Sequence, residues 1–468
     1  MTATAGGYVV AIDNGSQSTK VLIVDGGGGV HARARVPLRA YTSPSPGRWE
    51  HPDDDLWDSV VAAVREALAS FDGDQMEIRG IGLCTIRFCR AVLRKDGSLA
   101  QPIMSWMDER LPRAYEREVE DATYVTTSSG YIGHRLTGER RDAAGNYQGM
   151  WPIDTERWTW SGEAAEYART GMDPQMLFDL VAPGEQLGRL TAAAAQLTGL
   201  PAGIPVIATS NDKAVEALGA GLRNEDDALL SLGTYVATMT VGDRPLAADP
   251  DVWTNFGAEP GTYLYESNGV RRGMWTVSWF RELISSSGQG MTEEELNLGA
   301  AEVPIGAGGI VAALDWLAPP DEPWRRGALV GFDGTQGRFH IYRAILEALA
   351  IETAASDDRA RGALGRRRGG LVVTGGGSGS SLMLQILAAV YRVPVRTPLE
   401  RDAAGMGAAI CAAVGTGMHA TWAGAVDAMV HVGDRVDADP EMVRAYEEVA
   451  ETYAAVIPRI RRLFTETD

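Results

Sequence analysis

Short apolar runs and amphipathic stretches alternate along the chain from its start. Tyr8-Val9-Val10-Ala11-Ile12-Asp13 is an apolar run ending in a carboxylate. Lys20-Val21-Leu22-Ile23-Val24 is a second, and Asn14-Gly15-Ser16-Gln17-Ser18-Thr19 lies between them. Two β-type runs around a Gly/Ser/Thr turn predict a hairpin. The glycine run Gly26 to Gly29 closes the next turn; no helix start follows it, so it reads as a hairpin end in preference to a phosphate loop. Over 53–70, Leu56, Trp57, Val60, Val61, Val64 and Leu68 recur at helical spacing behind Asp53, Asp54 and Asp55, which suit a helix N-terminus. Residues 80–83 and 90–93 predict a further strand pair, and 201–209 a strand that runs into Ser210-Asn211-Asp212. Strands alternating with helices define an α/β chain.

After a Gly-rich and then charged stretch, 219–227, the opening pattern returns. Ala228-Leu229-Leu230-Ser231-Leu232 leads into a Gly233-Thr234 turn and the run 236–241. This places a boundary near residue 225, separating 1–224 from 225–468, and predicts a duplicated fold with facing Gly-Ser/Thr hairpins. A third glycine device follows: Leu371-Val372-Val373-Thr374 feeds Gly375-Gly376-Gly377, with apolar helical spacing from Leu382 to Val390. A buried strand entering a glycine turn and a helix N-terminus is a phosphate or nucleotide site. It lacks the lysine of a Walker loop, and its glycine spacing is wrong for a dinucleotide fingerprint.

Composition narrows the function. With 468 residues the chain has room for two or three domains at roughly 100–200 residues each. A net charge of −19 and a pI near 4.8 argue against nucleic acid or an anionic membrane as partner, because both need a basic footprint. An anionic ligand must then be held by helix N-termini, backbone N–H nests or a metal ion. Cys84, Cys89 and Cys411 are too few for a disulfide framework and form no Cys-x-x-Cys pair, which fits a reducing cytoplasm. Residues 1–7 show no leader features, and no stretch of about 18 apolar residues occurs. His31, His51, His134, His340 and His419 have no metal-ligand spacing; Met150 and Met239 read as core filler.

Two glycine hairpins, a third glycine turn ahead of a helix, and isolated aspartates at strand ends form the logic of an ATP site between two halves. In these motifs the chain resembles the FGGY carbohydrate kinases of the actin and hexokinase superfamily, over nearly its whole length. Asp13-Asn14-Gly15-Ser16-Gln17-Ser18-Thr19-Lys20 resembles the first phosphate motif, Leu232-Gly233-Thr234 the second, and Gly375-Gly376-Gly377 the adenosine motif. Pro46 to His51 and Ser105-Trp106-Met107-Asp108-Glu109-Arg110 resemble sugar-side segments, and Ser210-Asn211-Asp212 the strand end bearing the catalytic aspartate. Gly327-x-Leu329-x-Gly331 with His340 to Glu347 resembles the C-terminal signature, with Phe332 where a smaller residue is usual. The resemblance implies two ribonuclease H-like, actin-like ATPase domains with a cleft between them. Departures are equally specific. The stretch from Arg110 to Arg135 is short and lacks the family's Lys- and Trp-bearing segment, and Tyr235 stands where Ser is usual; Asp142 keeps the family's aspartate position.

Phosphoryl transfer needs neutralised phosphates, in-line positioning and a carboxylate that takes the proton of the attacking hydroxyl. The resemblance assigns that base to Asp212, for which a helix N-cap is the plainer reading. Asp13 is the candidate to hold Mg2+ through water, or simply caps its turn. Gly15, Ser16, Ser18, Thr19, Gly233 and Thr234 are candidate phosphate donors; Lys20 is either a point charge on them or a solvated strand residue. Gly375 to Gly377, with Ser380 as a further donor, would admit the adenosine, or form a plain tight turn. Asp108, Arg87, Trp49 and Asn211 are candidates for the sugar. Arg87 sits where glycerol kinase-like members carry Arg-Glu, but Phe88 follows it here, so a structural Arg87 stays open; Trp49 and Trp106 can also be core. The expectation is an ATP- and Mg2+-dependent kinase acting on a small carbohydrate: a sugar, ketose, sugar acid or polyol. A catalytically inactive ATP-binding or sugar-sensing relative and a dinucleotide-dependent oxidoreductase are the alternatives. Oligomeric state is open, a homodimer included.

Overall fold

In the computed structural model, residues 6–285, 290–319, 322–433 and 435–465 are described; 1–5, part of the segment without leader features, lie outside them. Each half is built on a six-stranded sheet with the same internal plan. In the first, Tyr8–Asn14 and Ser18–Asp25 form the predicted hairpin, with Asn14 opposite Thr19, and Val30–Pro37 extends it antiparallel. On the other side Ile78–Thr85 and then Pro205–Ala208 run parallel, and Gln186–Arg189 closes the edge. In the second, Asp227–Leu232 and Val236–Gly242 form the hairpin, extended antiparallel by Tyr263–Ser267 and Val252–Phe256. Gly370–Gly375 and Val395–Arg396 again run parallel on the far side. Parallel central strands require both faces covered, and Val9, Val10, Ala11 and Ile12 are all buried to 1% exposure or less.

The covering helices come from different places. Asp55–Ala69 packs Leu56, Trp57, Val60 and Val64 on the face that carries Val10 and Ile12. The opposite face, with Val9, Ala11 and Leu22, is covered by Ala403–Gly415, which returns from far along the chain. One expectation is corrected: residues 80–83 and 90–93 are not partners. Ile78–Thr85 is central in the first sheet, whereas Arg90–Leu93 pairs with Tyr124–Thr127 in a separate ribbon. Ile86 N still donates to Asn14 O, but Phe88, at φ 64°, turns the chain out of the sheet.

Asp212–Gly219 and Ala403–Gly415 cross between the halves with their backbones in contact. A Cβ on Gly219 would lie 1.9 Å from the Ala403 carbonyl oxygen, and one on Gly407 1.9 Å from that of Val215. Neither backbone can give way without shifting a whole helix. Gly407→Ala is therefore expected to cost about 1–3 kcal/mol, the range for overpacking a tight site. A calorimetric melting temperature equal to that of the unsubstituted protein would rule out so close a crossing. Among the described residues no helix is long and apolar enough to cross a membrane.

Candidate active site

The first hairpin turn presents Asp13 and Lys20 beside the crossing helices. Lys20 Nζ lies 3.0 Å from Asp13 Oδ2 and 3.1 Å from Asp402 Oδ1, and Asp402 caps the second crossing helix through Gly405 N. Burial pushes the Asp13 carboxyl up to about 6, with Lys20 pulling it down and Asp402 pushing it further up. Lys20 is thus ion-paired to two carboxylates while its side chain stays 36% exposed. Two donors need correction. Thr19 is fully buried, its hydroxyl on Asn14 Nδ2 at 2.6 Å and Ser59 Oγ at 2.6 Å. Ser18 is buried as well, accepting from Arg35 Nε at 3.1 Å. Ser18 and Thr19 lie on opposite faces of the strand, and each hydroxyl is engaged inside the protein, which leaves Gly15 and Ser16 at the tip.

Asp212 opens the first crossing helix. Asn211 caps that helix, its Oδ1 accepting from Ala214 N at 3.1 Å while Nδ2 donates to Gly145 O and Phe256 O, each at 3.2 Å. Asn211 is completely buried and all its contacts are internal, so it aims Asp212 instead of touching a sugar. The Asp212 side chain keeps 25% of its surface exposed, and Arg87 Nε lies 3.8 Å from its Oδ1. Burial raises the Asp212 pKa; Arg87 and then Lys213 oppose the rise, while Glu216 and Glu266 add to it. Arg87 also holds Glu266 through two bonds of 2.5 and 3.0 Å, and stacks 4.9 Å from the Trp253 ring. The acid missing at position 88 is supplied by Glu266 from the second half, which Asn255 Nδ2 also grips. Beneath Asp212, Lys213 Nζ bonds Glu216 Oε2 at 2.8 Å and Ser231 Oγ at 3.0 Å, and Thr374 donates to Glu216 Oε1 at 2.6 Å. Thr374 immediately precedes one glycine turn of the second half and Ser231 stands two residues before the other, so this network ties the helix of Asp212 to both.

Asp108 is also reassigned. Its carboxylate takes Trp49 N at 2.8 Å and three bonds from Arg110, and its side chain has no exposed surface. Burial acts to raise its pKa, but these bonds outweigh it and the net shift is downward. Asp108 holds the loop that presents Trp49, which at 38% exposure is not core; nor is Trp106 at 48%. Asp142 is buried under Thr127, Ser129 and Asn146 as an internal anchor.

In the second half the Gly233-Thr234 turn docks on the start of Gly273–Ser285, Thr234 O accepting from Gly273 N and Gly233 O from Met274 N. Gly375, at φ 83°, passes so close that a Cβ would lie 2.5 Å from Leu232 O, whereas Gly376 faces open space. The two turns are therefore side by side, as the motifs require. Ser380 is corrected to a helix cap, accepting from Met383 N and donating to Asn297 Oδ1 at 2.8 Å. Among the described residues no three His, Cys, Asp or Glu side chains are grouped to hold a metal. A magnesium ion arriving on phosphates needs just one or two carboxylates, a demand that Asp13 meets.

Sequence profiles for the N-terminal domain of the FGGY family of carbohydrate kinases match residues 8–118 and 111–219, and that for its C-terminal domain matches 228–416. The chain belongs to this family and is an ATP-dependent carbohydrate kinase with two actin-like ATPase domains. It is 44% identical over 435 residues to the uncharacterized sugar kinase YgcE of Escherichia coli K12, covering 91% of this chain and 88% of the relative. It is 24% identical over 475 residues to the autoinducer-2 kinase of Yersinia enterocolitica, covering 89% and 88%. The crystal structure of xylulose kinase from Rhodospirillum rubrum superposes with a TM-score of 0.82 at 25% identity, covering 98% of this chain and all of that one.

Proposed function

We propose that the chain transfers the γ-phosphoryl group of ATP to a hydroxyl of a neutral sugar, ketose or polyol, with Asp212 as the general base. Residues 1–224 would carry the acceptor and 225–468 the nucleotide. The observation that carries this reading is Asp212 itself: a part-exposed carboxylate at a helix start, between the halves, with a paired guanidinium 3.8 Å away. Gly15, Ser16, Gly233 and Thr234 would face the phosphates and Gly375 to Gly377 the adenosine. Asp13 would hold Mg2+ through water, the ion neutralising phosphate charge. The acceptor hydroxyl gives its proton to Asp212 as its oxygen bonds to the γ-phosphorus and the bond to ADP breaks. A neutral acceptor fits better than a sugar acid, because the cations nearest Asp212 are engaged: Arg87 by Glu266 and Lys213 by Glu216. Buried thiols at Cys84, Cys89 and Cys411 fit action in the cytoplasm. ADP release should be measured across pentoses, hexoses, ketoses, polyols and sugar acids. No turnover on any of them, with ATP binding intact, would sink this reading in favour of a sugar-sensing relative.

A further inference from the structure

Asp212 is not the only part-exposed group at the start of the first crossing helix. Lys213 and Glu216 keep 22% and 13% of their side-chain surface exposed, and Lys213 reaches across to Ser231 of the second half. An ammonium has three N–H donors. Lys213 gives one to Glu216 Oε2 at 2.8 Å and one to Ser231 Oγ at 3.0 Å, and among the described residues nothing takes the third. Burial acts to lower its pKa, but Glu216 and then Asp212 outweigh this and the net shift is upward, so the group stays charged. Glu216 is not reserved for it: Ser231 and Thr374 donate to the other carboxylate oxygen at 2.8 and 2.6 Å. The neighbouring cations are more heavily committed, Arg87 to Glu266 through two bonds and Lys20 to two carboxylates.

The strand that tethers the ammonium also says what it faces. Ser231 lies on Asp227–Leu232, which runs straight into the Gly233-Thr234 turn. Side chains alternate along a strand, so Ser231 shares its face with position 233, about 7 Å farther on. Hydrogen bonds are about 2.9 Å long, so a phosphoryl oxygen held at the turn by backbone N–H comes within reach of an ammonium bonded to Ser231. Thr374, in the same network, directly precedes Gly375. The residue before Lys213 is Asp212. The ammonium is therefore set between the turns that would face the phosphates and the carboxylate that would take the acceptor's proton. In an in-line transfer that is where the γ-phosphoryl group travels.

We propose that Lys213 is a catalytic residue that gives its third N–H to the γ-phosphoryl group of ATP, both in the bound nucleotide and during transfer. The acceptor oxygen bonds to phosphorus, the bond to ADP breaks and the proton goes to Asp212. Lys213 stays an ammonium throughout and neutralises charge on the phosphoryl oxygens. The proposal rests on the kinase reading above. Its test uses Lys213→Gln, which keeps a donor for Glu216 but removes the charge, and Glu216→Gln, which disturbs the same network but leaves the cation. Calorimetry compares ADP with the β,γ-imido analogue of ATP, each with Mg2+, and turnover is read on the best acceptor of the panel above. Lys213→Gln should bind the analogue about tenfold more weakly with ADP affinity unchanged, and lower kcat by about 10²–10³-fold. Glu216→Gln should keep the wild-type preference for the analogue over ADP. That preference left intact in Lys213→Gln, or lost equally in both variants as a merely structural network requires, would overturn the proposal and leave the kinase reading standing. If no acceptor is turned over, the kinase reading fails and calorimetry alone decides. A loss confined to the analogue and to Lys213→Gln upholds the contact, whereas an equal response of the two nucleotides overturns it.

Discussion

Asp212→Asn is expected to lower kcat by about 10²–10⁴-fold, the usual contribution of a positioned general base, with ATP affinity unchanged. The substitution is close to isosteric, and the helix start is set by Asn211 and not by the reacting carboxylate, so the fold should survive. Single-turnover rates and nucleotide titration separate the two effects. The pH profile gives a second check. A base works ionised, so kcat/KM falls as pH drops through its pKa, and burial places that pKa above the ordinary carboxylate value. Wild type should therefore show an acid limb at higher pH than a solvated aspartate would give, and Asp212→Asn should lose that limb along with its rate. Near-normal turnover in the variant would move the base elsewhere.

Arg87→Met carries the second large effect. Glu266 is 5% exposed at its side chain and Arg87 14%, so deleting the cation strands a buried carboxylate. Breaking such a pair costs about 3–5 kcal/mol, and denaturant melts should show a loss of that size. The double variant Arg87→Met, Glu266→Met removes both charges and should regain most of the stability, since the penalty belongs to the orphaned group more than to the pair. Activity should not return with it, because the acceptor side of Asp212 has lost its guanidinium. Arg87 is also the strongest group pulling the Asp212 pKa down, so residual activity in the single variant should have its acid limb displaced to still higher pH. A single variant as stable as wild type would mean that Glu266 is not held by Arg87 in solution.

These expectations use residues of very different visibility in the sequence. Asp212 was legible because an apolar strand ran into it and an apolar-periodic segment followed. The three glycine turns were legible for the same local reason, as breaks in strand patterning. Glu266 was not, although it completes the pairing of Arg87: it lies 179 positions away on a strand of the other half. Lys213 and Glu216 had a weak signal in their i, i+3 spacing on a short helix. What no spacing could supply was that Ser231 and Thr374 complete their network from two neighbouring strands of the second sheet.

Asp108, Asn211, Thr19, Ser18 and Ser380 show the limit more sharply. Each lies in a segment that the motifs single out, and each directs its hydrogen bonds into the protein. A motif names the segment, but which face a side chain takes depends on strand alternation, on caps, and on which carboxylate or amide arrives from elsewhere.

By itself the sequence determined the two glycine hairpins, the third turn, the α/β class and the carboxylates Asp13 and Asp212, because each depends on residues adjacent in the chain. Tertiary structure decided that Ala403–Gly415 covers the first sheet, that Arg87 is neutralised by Glu266, and that Ser231 and Thr374 close the network of Lys213 and Glu216. Those facts depend on close approach between distant segments, set by packing and charge compensation that no local pattern records.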